Sequence, residues 1–441
     1  MTQTMARSVR RAGSWMVLAG VVATLAVTLA GSTAEAQVQP APWADGGVPG
    51  QELTVKLVTF GPGDAVPSFF GHTGLVVKHD STGRSRLYNY GMFSFDGAFL
   101  WKFARGRLVF WVGAQPVEPT YRFYKRMGRD VRIQVLNLSA EAKEEMATHL
   151  EWKIKKENRT YVYNHYLDNC ATRPRDLVDE SVDGALKEAT SKPSDWTFRG
   201  HTRRYAGHSF WMMMVMMFLE NDTIDRPIQQ WDAMFLPDEL ERHVQTLTYQ
   251  KHPGGPEVPL VEKRRIYYDA GGRTIPEAPP THWPWTLGLG LLAGLAAVAG
   301  RHWRTIRPES TWSRMGYGLY TAWIGLFVGM PGLVLFLMSV LTDHEVTYWN
   351  ENLYLSHPVT AAALPLGVAL ALGVSSAKRW LRWVWTVTAA SGVLLVCLKP
   401  LPMFDQQNLL SITLILPITL GFAVASWWTS LYWSEPEAPK T

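Results

Sequence analysis

Between Glu52 and Thr59 apolar and polar residues alternate, the period of a strand with one buried face. Thr73–Lys78 and Ser85–Tyr90 repeat that rhythm, and the turn Asp80-Ser-Thr-Gly83 joins them, so a hairpin is expected. Arg107–Gly113 and Val131–Leu136 read as two more strands. Ser139 then opens a helix, with a hydroxyl at the cap and Glu141, Glu144 and Glu145 close behind it, running to about Asn158. A second helix is expected from near Asn169 to Val182. Strands followed by helices without regular alternation predict an α+β domain over about residues 51–250, bounded by Pro/Gly-rich stretches. The sequence has no internal repeat.

The last third has a different pattern. Pro284–Gly300, Tyr317–Leu341, Pro358–Val374, Val384–Leu398 and Leu409–Ser430 are apolar runs that contain no Asp, Glu, Lys, Arg or His. As helices they match a hydrocarbon core about 30 Å thick. The first loop between them carries Arg301, Arg304, Arg307 and Arg314, and the third carries Lys378, Arg379 and Arg382. The second, Thr342–His357, has Asp343, Glu345 and Glu351 and no Lys or Arg. Basic loops stay in the cytoplasm, so the second loop and everything before Trp283 are expected outside. The N-terminus agrees: Arg7, Arg10 and Arg11, an apolar run from Trp15 to Ala30, then Ala34-Glu-Ala36 have the order of a cleaved secretory signal peptide. The expected organisation is a signal peptide at 1–36, an exported domain with its linker at 37–282, a membrane domain at 283–433 and a cytoplasmic tail at 434–441.

Composition sharpens this picture. Charged residues are 18% of the chain, and Trp283, Trp285, Trp349, Trp427, Trp428 and Trp433 fall near span ends, where amphipathic rings anchor at the interface. A net charge of +5 dispersed along the chain gives no footprint for nucleic acid. Spans without ionisable groups argue against transport, which keeps such groups at mid-membrane. Two cysteines, one of them in a span, exclude a disulfide scaffold.

Cys170 is the only cysteine of the exported domain. Such a thiol is either buried and inert or kept for its reactivity. Its setting, Asp168-Asn-Cys170-Ala-Thr-Arg173-Pro-Arg175-Asp176, places it among polar residues at the expected start of a helix, where the dipole lowers a thiol pKa. Arg173 and Arg175 add to that effect or solvate the helix. A nucleophilic thiol needs a base. His72, which follows Gly71 and opens an apolar strand, is the best placed, and Asn89 on the neighbouring strand is placed to orient it. The spacing of His165, Asp168 and Cys170 matches no zinc pattern, and neither a phosphate loop nor a GxSxG elbow occurs. No metal and no cofactor are expected.

Two other segments have open readings. Trp211-Met-Met-Met-Val-Met-Met-Phe218 suits a core helix, a membrane-dipping helix or an acyl-chain groove, in which Met213 and Met216 would contact substrate. The second loop, with His344, Asn350 and Asn352, either binds a head group, through His344 and Asn352, or caps the bundle.

The order of His72 on a strand and Cys170 opening a helix resembles the circularly permuted papain-like arrangement of NlpC-type and lecithin:retinol acyltransferase-like domains. More closely, Phe-Gly-His72-Thr-Gly, Tyr-Asn89-Tyr-Gly-Met-Phe-Ser-Phe and Tyr-Leu-Asp-Asn-Cys170-Ala-Thr-Arg-Pro-Arg-Asp are similar to motifs of the Lnb family of bacterial lipoprotein N-acyltransferases. Asp225-Arg-Pro-Ile through Leu240 and the loop from His344 to Pro358 extend the likeness over nearly the whole mature chain, and the Met-rich run lies outside it.

The resemblance implies an α+β permuted papain-like exported domain followed by an all-α bundle of five transmembrane helices in the inner membrane. It also implies a reaction in which Cys170 takes an acyl chain from a phospholipid as a thioester and passes it to the amine of a lipoprotein's N-terminal cysteine. His72 would be the base and Asn89 its partner, with Asn169 and Arg173 contacting substrate beside them. The alternatives are a thiol-dependent phospholipid hydrolase or another cell-envelope Cys/His hydrolase, and a non-enzymatic scaffold.

Overall fold

The computed structural model describes residues 41–44, 47–93 and 104–432, with side chains as far as Trp427. The expected signal peptide at 1–36 and tail at 434–441 lie outside the described residues, as do Ser94 and Phe95 of the second motif. Contacts divide the described chain into two compact units. One comprises the chain up to Gly61, His72–Ala189 and Met234–Ala270; the other comprises Pro62–Gly71, Thr190–Ala233 and everything from Gly271 on.

The first unit is α/β and built on a seven-stranded antiparallel sheet. Its strands are β1 (Leu53–Phe60), β2 (His72–His79), β3 (Ser85–Met92), β4 (Val109–Gln115), β5 (Val131–Leu136), β6 (Thr160–Val162) and β9 (Val261–Tyr268), in the order β6-β4-β3-β2-β1-β5-β9. The short pair β7 (Thr248–Gln250) and β8 (Glu257–Pro259) stands apart from it. β1 is central, and Leu53, Val55, Leu57, Val58 and Phe60 are fully buried, each worth ~1.5–3 kcal/mol of apolar transfer. Val58, Phe60, Val76, Leu87, Val131 and Ile133 make one core with Tyr121 and Tyr124 of the helix Val117–Arg126. The helix Ala140–Lys153 packs against β1, its Ser139 cap accepting from the Ala142 N–H at 3.1 Å. It buries Glu151, which accepts from Arg86 at 2.5 Å and from the Tyr88 hydroxyl; that hydroxyl accepts in turn from the Trp43 indole at 2.8 Å. Pairing register sets Phe60 opposite His72 and Gly74 opposite Asn89, which brings the ends of three strands together.

Five features differ from the sequence reading. β4 begins two residues later than expected, and the Ser139 helix ends at Lys153. The helix expected from Asn169 spans Thr172–Glu180, because residues 164–171 form a tight, hydrogen-bonded loop instead. The helix Val117–Arg126 was not anticipated. Nor was β9, which joins the sheet from beyond residue 250.

The second unit is helical. Among the described residues five helices are long and apolar enough to cross a membrane: Trp283–Ile306, Thr311–Leu341, Asn352–Ala371, Ala377–Leu398 and Leu409–Trp427. They run past the apolar runs, so Arg301, Arg304, Lys378, Arg379 and Arg382 sit on helix rather than in loops. The second passes through a π turn at Gly325–Gly329. The third becomes regular only after Pro358, whose missing N–H interrupts the ladder. The first and fifth approach closely: a Cβ on Gly294 would lie 2.3 Å from the Pro417 carbonyl, and one on Gly421 2.4 Å from the Gly294 Cα. Small residues allow this backbone contact, which dispersion then stabilises in lipid.

Ahead of the spans, Arg199 in the helix Phe198–Ala206 is fully buried. It donates to Asp225 at 2.6 Å and to the carbonyls of Met217, Glu220 and Asn221 at 3.2, 3.0 and 2.7 Å. Asn221 continues the network by donating to the carbonyls of Glu345 and Tyr348, and Asp225 accepts from the Gln407 N–H. Removing one member of a buried ion pair strands the other. Arg199→Met is therefore expected to cost ~3–5 kcal/mol, read as a lower melting temperature and a poorer yield of full-length protein. A melting temperature equal to wild type would show that this hub does not stabilise the unit.

Candidate active site

His72, the first residue of β2, bonds through Nε2 to Asn89 Oδ1 at 2.7 Å. An amide oxygen only accepts, so Nε2 carries the proton and Nδ1 is the basic nitrogen. Asn89 is held in turn, its Nδ2 donating to Gln115 Oε1 on β4 at 3.0 Å. The imidazole is half-buried and lies in an aromatic stack, 6.0 Å from the Phe60 ring and 6.2 Å from Tyr124, whose own centroids are 3.7 Å apart.

Cys170 lies in the loop before the helix Thr172–Glu180. Asn169 builds that loop: its Oδ1 accepts from the N–H groups of Ala171 and Thr172 at 2.8 and 2.9 Å, and its Nδ2 donates to the carbonyls of His165 and Phe235 at 2.7 and 2.9 Å. Thr172 answers by accepting from the Asn169 N–H at 2.8 Å, a reciprocal cap. The thiol therefore sits just outside the helix start. The Thr73 N–H, one residue before the β2–β3 ladder begins, hydrogen-bonds the sulfur, so Cys170 stands beside the residue that follows His72.

Electrostatics corrects the expectation of a lowered thiol pKa. Burial pushes Cys170 up to about 11, and it outweighs the Thr73 N–H, the charge of Arg129 and the thiol's own backbone N–H, which pull the other way. Burial and Arg129 together hold His72 down at about 4, with the Asn89 bond partly opposing them. At neutral pH both groups are uncharged. The site therefore holds a neutral thiol and a neutral imidazole, not a preformed thiolate–imidazolium pair.

Arg129 is a third element, which sequence reasoning did not single out. It is buried, donates to the Gly61 carbonyl at 2.7 Å and lies 4.8 Å over the Tyr124 ring. A fixed cation here favours negative charge on sulfur and keeps His72 neutral. Tyr124, Tyr161 and Tyr163 are also close enough to interact electrostatically with the thiol.

The remaining expected residues are placed as follows. Asn169 is buried, and all its amide bonds stay within the fold, so it positions the Cys170 loop. Arg173 pairs with Asp168 through two 2.5 Å bonds and lies 4.9 Å over the Tyr161 ring. Met213 is fully buried, and with Met214 and Met217 it belongs to the same apolar core as residues of the spans; Met216 packs on its margin. The Met-rich run is the helix Phe210–Leu219. Asn350 and Asn352 donate to the carbonyls of Phe218 and Leu219, closing that helix's C-terminal end. His344 is half-buried at the start of a short 3-10 turn, Glu345–Thr347. Met213, Met216, His344 and Asn352 thus belong to the second unit, and Cys170, His72, Asn89, Asn169 and Arg173 to the first.

Residues 39–203 match the family model described as the Lnb N-terminal periplasmic domain, a range that includes His72, Asn89 and Cys170. No curated protein and no solved structure matches the chain. With five apolar helices following the matched domain, this is a multi-pass membrane protein with a periplasmic domain. Over residues 39–203 the chain therefore carries an Lnb-type N-terminal periplasmic domain.

Proposed function

We propose that the protein is a lipoprotein N-acyltransferase of the inner membrane, with a permuted papain-like catalytic domain over residues 37–282, a membrane domain at 283–433 and a signal peptide at 1–36. The observation that supports this reading is that the Cys170 sulfur accepts from the N–H of Thr73, the residue after His72, while Asn89 holds the His72 imidazole and both groups are uncharged at neutral pH. A neutral pair of this kind reacts by general-base catalysis.

In the first half-reaction the phospholipid ester carbonyl meets the Cys170 sulfur. As the S–C bond forms, the thiol proton passes to His72 and the carbonyl π pair moves onto oxygen. The tetrahedral intermediate collapses by breaking the ester C–O bond, and His72 returns the proton to the departing glycerol oxygen. In the second half, the α-amine of a lipoprotein's N-terminal cysteine attacks the thioester. Its proton goes to His72, the C–S bond breaks, and the proton returns to sulfur. The product amide is more stable than the thioester, which makes transfer downhill. The aromatic rings around His72 and Cys170 limit water's access and favour the amine over hydrolysis. Both substrates are held in a membrane, in keeping with the five apolar helices.

The test is the mass of lipoprotein N-terminal peptides from a host without its own N-acyltransferase. With this protein present, one amide-linked acyl chain is expected on the N-terminal cysteine. Full-length protein in the membrane, unchanged N-termini and released free fatty acid would instead establish a phospholipid hydrolase.

A further inference from the structure

A buried tyrosine hydroxyl nearly always finds a hydrogen-bond partner. Tyr88 donates to Glu151, and Tyr163 lies 3.3 Å from His165 Nδ1. Tyr161, on the edge strand β6 opposite Phe110, is the exception near the thiol. The residue is 7% exposed, and its hydroxyl is buried with no hydrogen-bond partner among the described residues. Leaving such a group unmatched costs ~1–3 kcal/mol, a cost that a ligand supplying an acceptor would offset.

Gly91 shows what lies between this hydroxyl and Cys170. At the irregularity where the β3–β4 ladder slips, Gly91 has φ +92° and no side chain. A Cβ at that position would stand 3.7 Å from the Cys170 Cβ and 3.9 Å from the Tyr161 oxygen. Among the described residues, Cys170 and the Tyr161 hydroxyl therefore flank a space at Gly91 that would admit a methyl-sized group, and so a carbonyl oxygen. The Tyr161 ring is fixed from one side by the Arg173 guanidinium, itself clamped by Asp168. Burial raises the phenol's pKa, so it meets substrate as a donor with its proton in place.

We infer that Tyr161 supplies the side-chain donor of an oxyanion hole, hydrogen-bonding the lipid ester's carbonyl oxygen as Cys170 adds to it. The inference rests on the acyl-transfer reading above. The bond strengthens as negative charge develops on that oxygen and involves no proton transfer, so the phenol is unchanged at the end of each half-reaction. Arg173 acts through Tyr161 as a positioning residue.

The test uses full-length protein in vesicles of phosphatidylethanolamine and phosphatidylglycerol, with a synthetic diacylated lipopeptide as acceptor. Single-turnover formation of acyl-Cys170 is followed by intact mass. Tyr161→Phe is expected to slow acylation ~10²–10³-fold. Its melting temperature should be unchanged or slightly higher, because the variant removes an unmatched polar group. Acylation by Tyr161→Phe at the wild-type rate would overturn the assignment, as would a rate loss matched by a fall in melting temperature. Wild-type protein that never forms acyl-Cys170 would overturn the acyl-transfer reading itself, and the assignment with it.

Discussion

Cys170→Ala is expected to abolish acyl transfer, a loss of roughly 10⁴–10⁶-fold of the kind seen when a covalent nucleophile is removed. The fold should survive, because the substitution deletes one sulfur from a loop fastened by other groups. Asn169 makes four hydrogen bonds to hold that loop, and Ala171 is already fully buried beside it. Three readouts should agree: no acyl-enzyme by intact mass, no added chain on lipoprotein N-termini, and a melting temperature near wild type. Cys397 provides the control. It is exposed on the helix Ala377–Leu398, and Cys397→Ala should keep full activity. A Cys170→Ala protein that still transfers acyl chains would remove the thioester from the mechanism.

His72→Gln is expected to slow acyl-enzyme formation ~10²–10⁴-fold and to change the shape of the pH profile. With a thiol near 11, only about 10⁻⁴ of Cys170 is thiolate at pH 7, so attack depends on a base that removes the proton during the reaction. His72 can do so wherever it is neutral, that is, above about 4. Wild-type acylation should therefore rise as pH climbs through about 4 and stay level across the neutral range. Without the imidazole, the rate should follow the thiolate and climb about tenfold per pH unit toward 11. A variant whose profile keeps the acid limb near 4 would show that the limb belongs to another group.

Much of this was legible in the sequence. β1 to β5 could be read because a sheet face that must be buried imposes a period of two, and the spans because hydrocarbon tolerates only long apolar runs. His72, Asn89 and Cys170 stood out because their residue types suit one chemistry and their local settings are distinctive. β9 was hidden because it is an edge strand: Glu262, Lys263, Arg264 and Arg265 protect the edge from pairing and also erase the alternation. The helix Val117–Arg126 carried a signal in Pro116 and in Val117, Tyr121 and Tyr124 at helical spacing, but its charged residues masked the stripe. Gln115, Arg129 and Tyr161 had no local signature, since only the tertiary fold brings Gln115 to Asn89 and the other two to the thiol. The Cys170 pKa was misjudged for the same reason. A helix start is visible in sequence, whereas the burial that outweighs it is not. For the loop of Asn350 and Asn352 the sequence left head-group binding and capping open, and in the fold both side chains close a helix end.

The bond from Asn169 to the Phe235 carbonyl, and the pairing of β5 with β9, bear on the order in which an exported chain matures. A polypeptide secreted from its N-terminus delivers His72 and Cys170 early, yet the loop around Cys170 lacks its Phe235 anchor until about 65 more residues have followed. The sheet gains its last strand only at Tyr268, and the first apolar helix begins at Trp283. The thiol thus acquires its finished surroundings almost as the chain acquires its membrane anchor. A nascent or truncated form released before that point would carry the cysteine without its finished surroundings, which on the acyl-transfer proposal confines the chemistry to molecules already tethered in the membrane.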